Sequence, residues 1–134
     1  MRIRHVIRGR LNPDNADGII THTHRLARAQ LQLGHDVEVY GVASRASEPE
    51  IIDRDGLVVR AFPWLRNPLG VHAALRELIE TADAEATFHL QPPHDPAVAG
   101  VGRVLRRAGI PYFVSPHAMW SPHALARGRL KKRA

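Results

Sequence analysis

Histidine can donate, accept or transfer a proton near neutral pH, and this chain has nine histidines and no cysteine. The most pointed case is His117, in the stretch SPHAMW. Ser115 ends an apolar run, PYFVS, that reads as a strand, and Pro116 keeps the chain extended beyond it. His117 is therefore expected at the carboxyl end of a strand, where open α/β sheets bind ligands. A neutral imidazole there can donate to a ligand hydroxyl or accept from one. A hydrogen-bonded structural histidine is the competing reading. The letters SPHA recur at 121–124 with a different meaning. Ser121 and Pro122 form an N-cap and N1 pair that starts a helix, leaving His123 in its first turn.

Other candidates are weaker. Two histidines six apart across such a junction match no metal spacing. His22 and His24 are two apart on an expected helix, so they face different ways, and the His-Glu-x-x-His pattern of zinc proteases is missing. No metal site is expected. His22, in the first helical turn, can point toward a ligand at the preceding loop. That loop, NPDNADGII, places Gly18 at a helix start, where backbone N–H groups suit an anion such as phosphate. Asp17 beside it would repel a phosphate, and a plain helix cap is the alternative role for it. The dinucleotide fingerprint G-x-G-x-x-G is absent. In QPPHD, Pro92 and Pro93 stiffen a loop that could wall a cleft, with His94 exposed on it; a plain rigid loop is the alternative.

The elements that must position these residues alternate. Ile3–Ile7 is apolar and β-branched, a buried first strand. From Ile19 to Leu33 the period is helical, with Ile19, Leu26, Ala29 or Gln30, and Leu33 expected on one face and Gly34 ending the helix. Val37–Val42 is a second strand. Asp55-Gly56 is a turn between two short apolar runs, one a sheet strand and the other an edge. A helix follows with Val71, Leu75, Leu78 and Ile79 on one face, then a strand at Ala86–Leu90. Asp95 caps a helix that Pro96 opens and Gly109 closes. Pro111–Ser115 is a strand, and a last helix starts near Pro122. Strands alternating with helices predict a single-domain α/β fold with a doubly wound, mostly parallel sheet. Its strand-end loops are RGRLNPDNADG, QPPHD and SPHAMW.

Composition narrows the function classes. The 134 residues suffice for one core. Without cysteine there is no disulfide or thiolate chemistry, and no apolar run approaches the roughly 20 residues of a membrane span. A cytoplasmic location is the expectation. Net charge is +6, yet Arg127, Arg129, Lys131, Lys132 and Arg133 crowd the last eight residues, leaving the body near neutral. Basicity confined to one tail, with 5% aromatics, argues against a nucleic-acid surface. Leu125 and Leu130 are too few for a strong amphipathic anchor, so any membrane contact through the tail would be peripheral and weak.

Taken together, MRIRHV, a loop ending in Gly18-Ile19, HTHRLARAQLQLGHDVEVYG and the second-half run FHLQPPHDPAVAGVGRVLRRAGIPYFVSPHAMWSPHAL resemble the N-terminal domain of glycosyltransferase family 4. Gly34, His35, Asp36, Val37 and Val39 match the strand entry of that family, and the resemblance covers essentially the whole chain. It implies the GT-B architecture, two Rossmann-like domains flanking a cleft, and a retaining transfer from a nucleotide-sugar donor to a sugar or lipid-linked hydroxyl acceptor. No metal or other cofactor is implied. By the resemblance, His117 contacts the donor sugar as the catalytic candidate and Gly18 approaches the donor diphosphate. Asp17, His22, Pro92, His94 and Met119 then line the acceptor side or the cleft. Asp17 stands where the family has a first loop glycine, and Ala118 where a glycine follows the histidine.

The same resemblance predicts that residues 1–134 form an incomplete N-terminal domain with a basic helical tail from about 122 to 134. The partner expected for it is a donor-binding C-terminal domain, on the same or a separate chain, without which no turnover is predicted. A different class of reading is a non-catalytic Rossmann-like binding module, or a gene remnant, that uses its basic tail on an acidic partner or membrane surface. A nucleotide-binding regulator is disfavoured by the missing phosphate glycines.

Overall fold

A computed structural model describes residues 1–9, 18–43, 49–63, 65, 67, 70–91 and 95–115. Its hub is strand β1 (Arg2–Arg8), in which Ile3, His5, Val6 and Ile7 are all buried. A strand buried on both sides must sit centrally, and β1 does: the sheet order is β3-β4-β2-β1-β5-β6. Here β2 is Asp36–Ala43, β3 Glu50–Arg54, β4 Leu57–Pro63, β5 Ala86–Gln91 and β6 Tyr112–Val114. β1, β2, β4, β5 and β6 run parallel, and only β3 pairs antiparallel, as an edge against β4. The expected doubly wound, mostly parallel α/β sheet is thus observed, flanked by α1 (Gly18–Gln32), α2 (Ala73–Glu80) and α3 (Pro96–Ala108).

The local signals account for most boundaries. Asp55 and Gly56 both adopt positive φ, 52° and 89°, the two-residue turn that matches the twist of a hairpin. Asp53 Oδ1 accepts from the Gly56 N–H at 2.8 Å and steadies it. Asp95 caps α3 by accepting from the Ala97 N–H, Pro96 opens the helix, and Gly109 closes it in the left-handed region. Asp36–Ala43 and Ala86–Gln91 each run slightly longer than the sequence pattern predicts, and β6 is shorter. The expected last helix and the basic tail lie outside the described residues.

Two apolar cores separate on the two faces of the sheet. On one face α2 and α3 cover Val6, Tyr40, Phe62, Phe88 and Leu90. Gly102 of α3 comes so close that an added Cβ would stand 3.2 Å from Leu90. On the other face α1 covers Ile3, Ile7, Val37, Val39, Leu57 and Val59.

The face of α1 that does this is not the expected one. Ile20, Thr23 and Ala27 are buried, whereas Leu33 is 76% exposed, Ala29 is exposed and Ile19 and Leu26 only half-buried. Thr23 Oγ1 donates to the Ile19 carbonyl at 2.8 Å, and Gln30 is bonded to His5. Gln30, the expected alternative to Ala29, thus turns inward, while Thr23 is a satisfied polar residue at an inward position that a purely apolar period misses.

At the amino ends of the strands, charge is paired across the sheet. Glu38 receives Arg4 at 3.1 Å and Arg60 at 2.7 Å, and Asp36 receives Arg4 at 3.2 Å. The hydrogen bond from Arg4 holds the Asp36 carboxyl below its ordinary pKa. No helix among the described residues is long and apolar enough to cross a membrane.

Candidate functional site

Strand order decides where a ligand can sit. From β1 the chain builds outward to β2 and β4 on one side, and to β5 and β6 on the other. The order therefore reverses between β1 and β5, and the crevice outside their carboxyl ends is the site such sheets offer. Arg8 and Gly9 close β1 there, Gln91 closes β5, and Ser115 follows β6. The first turns of α1 and α3 begin on the same side, because each helix follows a parallel strand.

The described part of this rim has defined chemistry. Gly9 has φ +85°, a conformation open to glycine and costly to other residues. Its N–H donates to the Val42 carbonyl at 2.8 Å, tying the end of β1 to β2. Arg8 reaches Asp95 at 3.0 Å, so one carboxylate both caps α3 and anchors an arginine whose side chain is 51% exposed. Gly18 is the first residue of α1. A Cβ there would meet nothing within 4 Å among the described residues, and its φ is not positive. The local fold thus does not require glycine at 18, whereas it does at 9, which the sequence reading did not single out.

His22 is exposed on α1, and its charge would disfavour protonation of His5. His24 is half-buried, and burial and then Arg28 and Arg54 lower its pKa. The two histidines therefore face different surroundings, as their spacing predicts. Among the described residues no three His, Cys, Asp or Glu side chains gather as a metal site would need. Asp17, Pro92, His94, His117 and Met119, the remaining residues singled out from the sequence, lie outside the described residues.

Beneath the reversal point lies a polar cluster that sequence inspection did not assemble. His5 and His89 are register partners on β1 and β5. His5 is fully buried, and Gln91, two residues on from His89, is fully buried beside them. His5 Nε2 lies 2.7 Å from Gln30 Oε1 of α1. Its Nδ1 lies 3.2 Å from His89 Nδ1 and 3.3 Å from Gln91 Nε2. His89 Nε2 lies 2.5 Å from Ser115 Oγ. Burial, the largest influence, pushes the His5 pKa down and favours its neutral form. The signal for this cluster is present but faint: a histidine and a glutamine at alternate positions of β5, and a histidine in the middle of an apolar β1.

A cavity of about 410 Å³ lies elsewhere, between the β3–β4 edge and α2, bordered by Ile51, Phe62, Glu77 and Leu78. It is on the opposite edge of the sheet from β6 and shares no residue with the rim.

A family model described as a glycosyl transferase 4-like domain matches residues 17–134. No curated protein and no solved structure matches the chain. The match spans most of the sequence, and the parallel α/β sheet with its strand-end crevice agrees with it. The protein belongs to the family of glycosyl transferase 4-like domains.

Proposed function

We propose that this chain is the acceptor-side domain of a retaining glycosyltransferase. It holds a hydroxyl acceptor at the β1–β5 crevice while a sugar passes to it from a nucleotide-sugar donor. The observation that carries the reading is the reversal of strand order between β1 and β5 in a chain of this family. Family membership implies donor and acceptor substrates. The nucleotide donor and the retaining course are this proposal's own additions.

In this reading His117 contacts the donor sugar near the reacting carbon, and Gly18 lets backbone approach the diphosphate. His22, Asp17, Pro92, His94 and Met119 line the acceptor side. Gly18 and His22 support it by position, since Gly18 opens α1 at the crevice and His22 follows one turn on. Donor and acceptor must be held together in one closed cleft for transfer to be fast. A second, donor-binding domain supplies the facing wall, and the 134 residues by themselves bind without turning over.

Two measurements test this. Purified chain incubated with UDP-glucose or GDP-mannose and a hexose acceptor is expected to release no nucleotide; steady release would overturn the claim that a second wall is needed. Amide shifts on adding the same nucleotide sugars are expected at Gly9, Gly18 and His22. Shifts confined to the β3–β4 edge would move the site to the wrong end of the sheet and overturn the reading.

A further inference from the structure

Several arginines of the sheet are paired with carboxylates. Arg2 meets Asp83, Arg4 and Arg60 meet Glu38, and Arg8 meets Asp95. Helix α3 carries three that are not. Arg103, Arg106 and Arg107 are exposed, and no ion pair or hydrogen bond engages their side chains among the described residues. Spaced i, i+3 and i+4, they share one outer face. That face is fixed, because Val98, Val101, Val104 and Leu105 are buried against the sheet on the opposite one. Cations in a last turn complement the helix dipole, which accounts for Arg106 and Arg107. Arg103 stands a turn earlier and gains little from it.

The neighbouring charges do not neutralise the three. On α2, Glu77 borders the cavity at the β3–β4 edge and so turns away from α3, while Arg76 and Glu80, both exposed, carry opposite charges. At the foot of β5, Asp83 is held by Arg2, which leaves Glu85 against three guanidinium groups. The strand that α3 leads into adds apolar surface: Phe113 is 68% exposed and Val114 37%, on the edge strand β6. The outer face of a helix is convex, so it suits an extended surface rather than an enclosed anion. Guanidinium forks bind phosphate oxygens in pairs. Phosphate with apolar groups beside it is the chemistry of a phospholipid leaflet. A nucleic-acid duplex presents phosphate without apolar groups at its outer surface.

We infer that α3 docks this chain on an anionic phospholipid surface through Arg103, Arg106 and Arg107. The docking itself rests on α3 and its neighbours alone. Its use rests on the glycosyl-transfer reading above, in which a lipid-linked hydroxyl is one class of acceptor. Helix α3 starts at the crevice rim, where Asp95 caps it, and Arg103 follows two turns on, about 10 Å along the axis. A leaflet lying along α3 therefore passes beside the mouth of the crevice, and an acceptor anchored in that leaflet reaches the site by lateral diffusion. The basic residues of the tail add charge of the same sign. Only α3, packed on one face of the sheet, sets which side of the fold meets the lipid.

Co-sedimentation of the whole chain with vesicles tests this. Vesicles of equal parts phosphatidylcholine and phosphatidylglycerol are expected to carry the chain down, and added salt to release it. Vesicles of phosphatidylcholine alone should leave it in solution. A basic residue near an anionic leaflet is worth about fivefold in partitioning, so the triple variant Arg103→Gln, Arg106→Gln, Arg107→Gln should bind about a hundredfold more weakly. Its urea midpoint should match the wild type, because the three side chains hold nothing in the fold. The corresponding Arg→Lys triple keeps the charge and should keep most of the binding. A spin label carried on the lipid should broaden the amides of Arg103, Arg107 and Phe113 and spare Arg25, which is exposed on α1 across the sheet. Wild-type binding by the glutamine triple, with the loss confined to a chain whose tail arginines and lysines are neutralised, overturns the inference. So does broadening centred on α1, or tighter binding to a DNA duplex than to the anionic vesicles. The nucleotide-release and crevice-shift tests of the glycosyl-transfer reading involve no vesicle, so failure here leaves that reading standing.

Discussion

The two faces of one sheet solve the burial problem differently. On the α2–α3 face, Val6, Phe88 and Leu90 join one apolar cluster under two helices, with the Arg4–Glu38–Arg60 ion pairs on the same face at its margin. On the α1 face the same strands offer Ile3 and Ile7 on β1, but His5, His89 and Gln91 between and beside them. Apart from those ion pairs the first face is held by area removed from water, which has no direction. The second is held in part by hydrogen bonds, which do. An apolar face tolerates exchange of similar volumes. A polar cluster is stable only while each member finds its partner.

The sharpest way to break this contrast is to damage each face in turn. Phe88→Ala, which empties the centre of the apolar face, is expected to cost about 3–5 kcal/mol in denaturant unfolding. A loss below 1 kcal/mol would mean that this face is not the main core. His5→Phe keeps the bulk but removes one hydrogen-bond partner from each of Gln30, His89 and Gln91, and should cost about 1–3 kcal/mol. An unchanged or raised stability would show that the cluster contributes nothing as a network. Gly102→Ala presses a methyl toward Leu90 and belongs to the apolar face. Its cost is expected near 1 kcal/mol, at the low end for overpacking.

The pH dependence separates the faces without a mutation on the apolar one. The folded-state pKa of His5 lies below its ordinary 6.5, so between the two values the unfolded chain binds a proton that the folded one refuses. Stability should therefore fall as pH drops below about 6.5 and be insensitive to this group above it. His24, lowered in the same direction by burial and then by Arg28 and Arg54, acts with the same sign. Asp36 acts in a lower window. Its pKa lies below 3.8, so the stability it contributes is present above 3.8 and is lost as pH falls further. Urea midpoints of wild type and His5→Phe between pH 7 and 5 make the check. An identical slope in both would assign the effect elsewhere.

The smallest effect is expected at the rim. Arg8→Ala removes an ion pair whose arginine is half exposed, and should cost under about 1 kcal/mol. If nucleotide-sugar binding falls much further than stability does, the arginine belongs to the ligand and not to the cap.

Much of the scaffold was legible because its signals are local. Asp95, Pro96 and Gly109 delimit α3 through caps that act within a few residues. Asp55-Gly56 specifies its hairpin by the φ values that the pair tolerates. The inward face of α1 was misread because Thr23 counts as polar in any periodicity, yet its hydroxyl is satisfied by the Ile19 carbonyl one turn earlier. Gly18 attracted attention as a loop glycine, whereas the positive φ is at Gly9.

The sequence by itself determined the alternation of strands and helices, the α/β class and the family, because each rests on contacts a few residues apart or on a pattern read in order. Only the tertiary structure decided which strands are neighbours. That choice brings His5 within 3.2 Å of His89, a residue 84 positions away, and it sets the crevice between β1 and β5. Hydrogen-bond partners that far apart are selected by strand order and register, and no local propensity encodes either one.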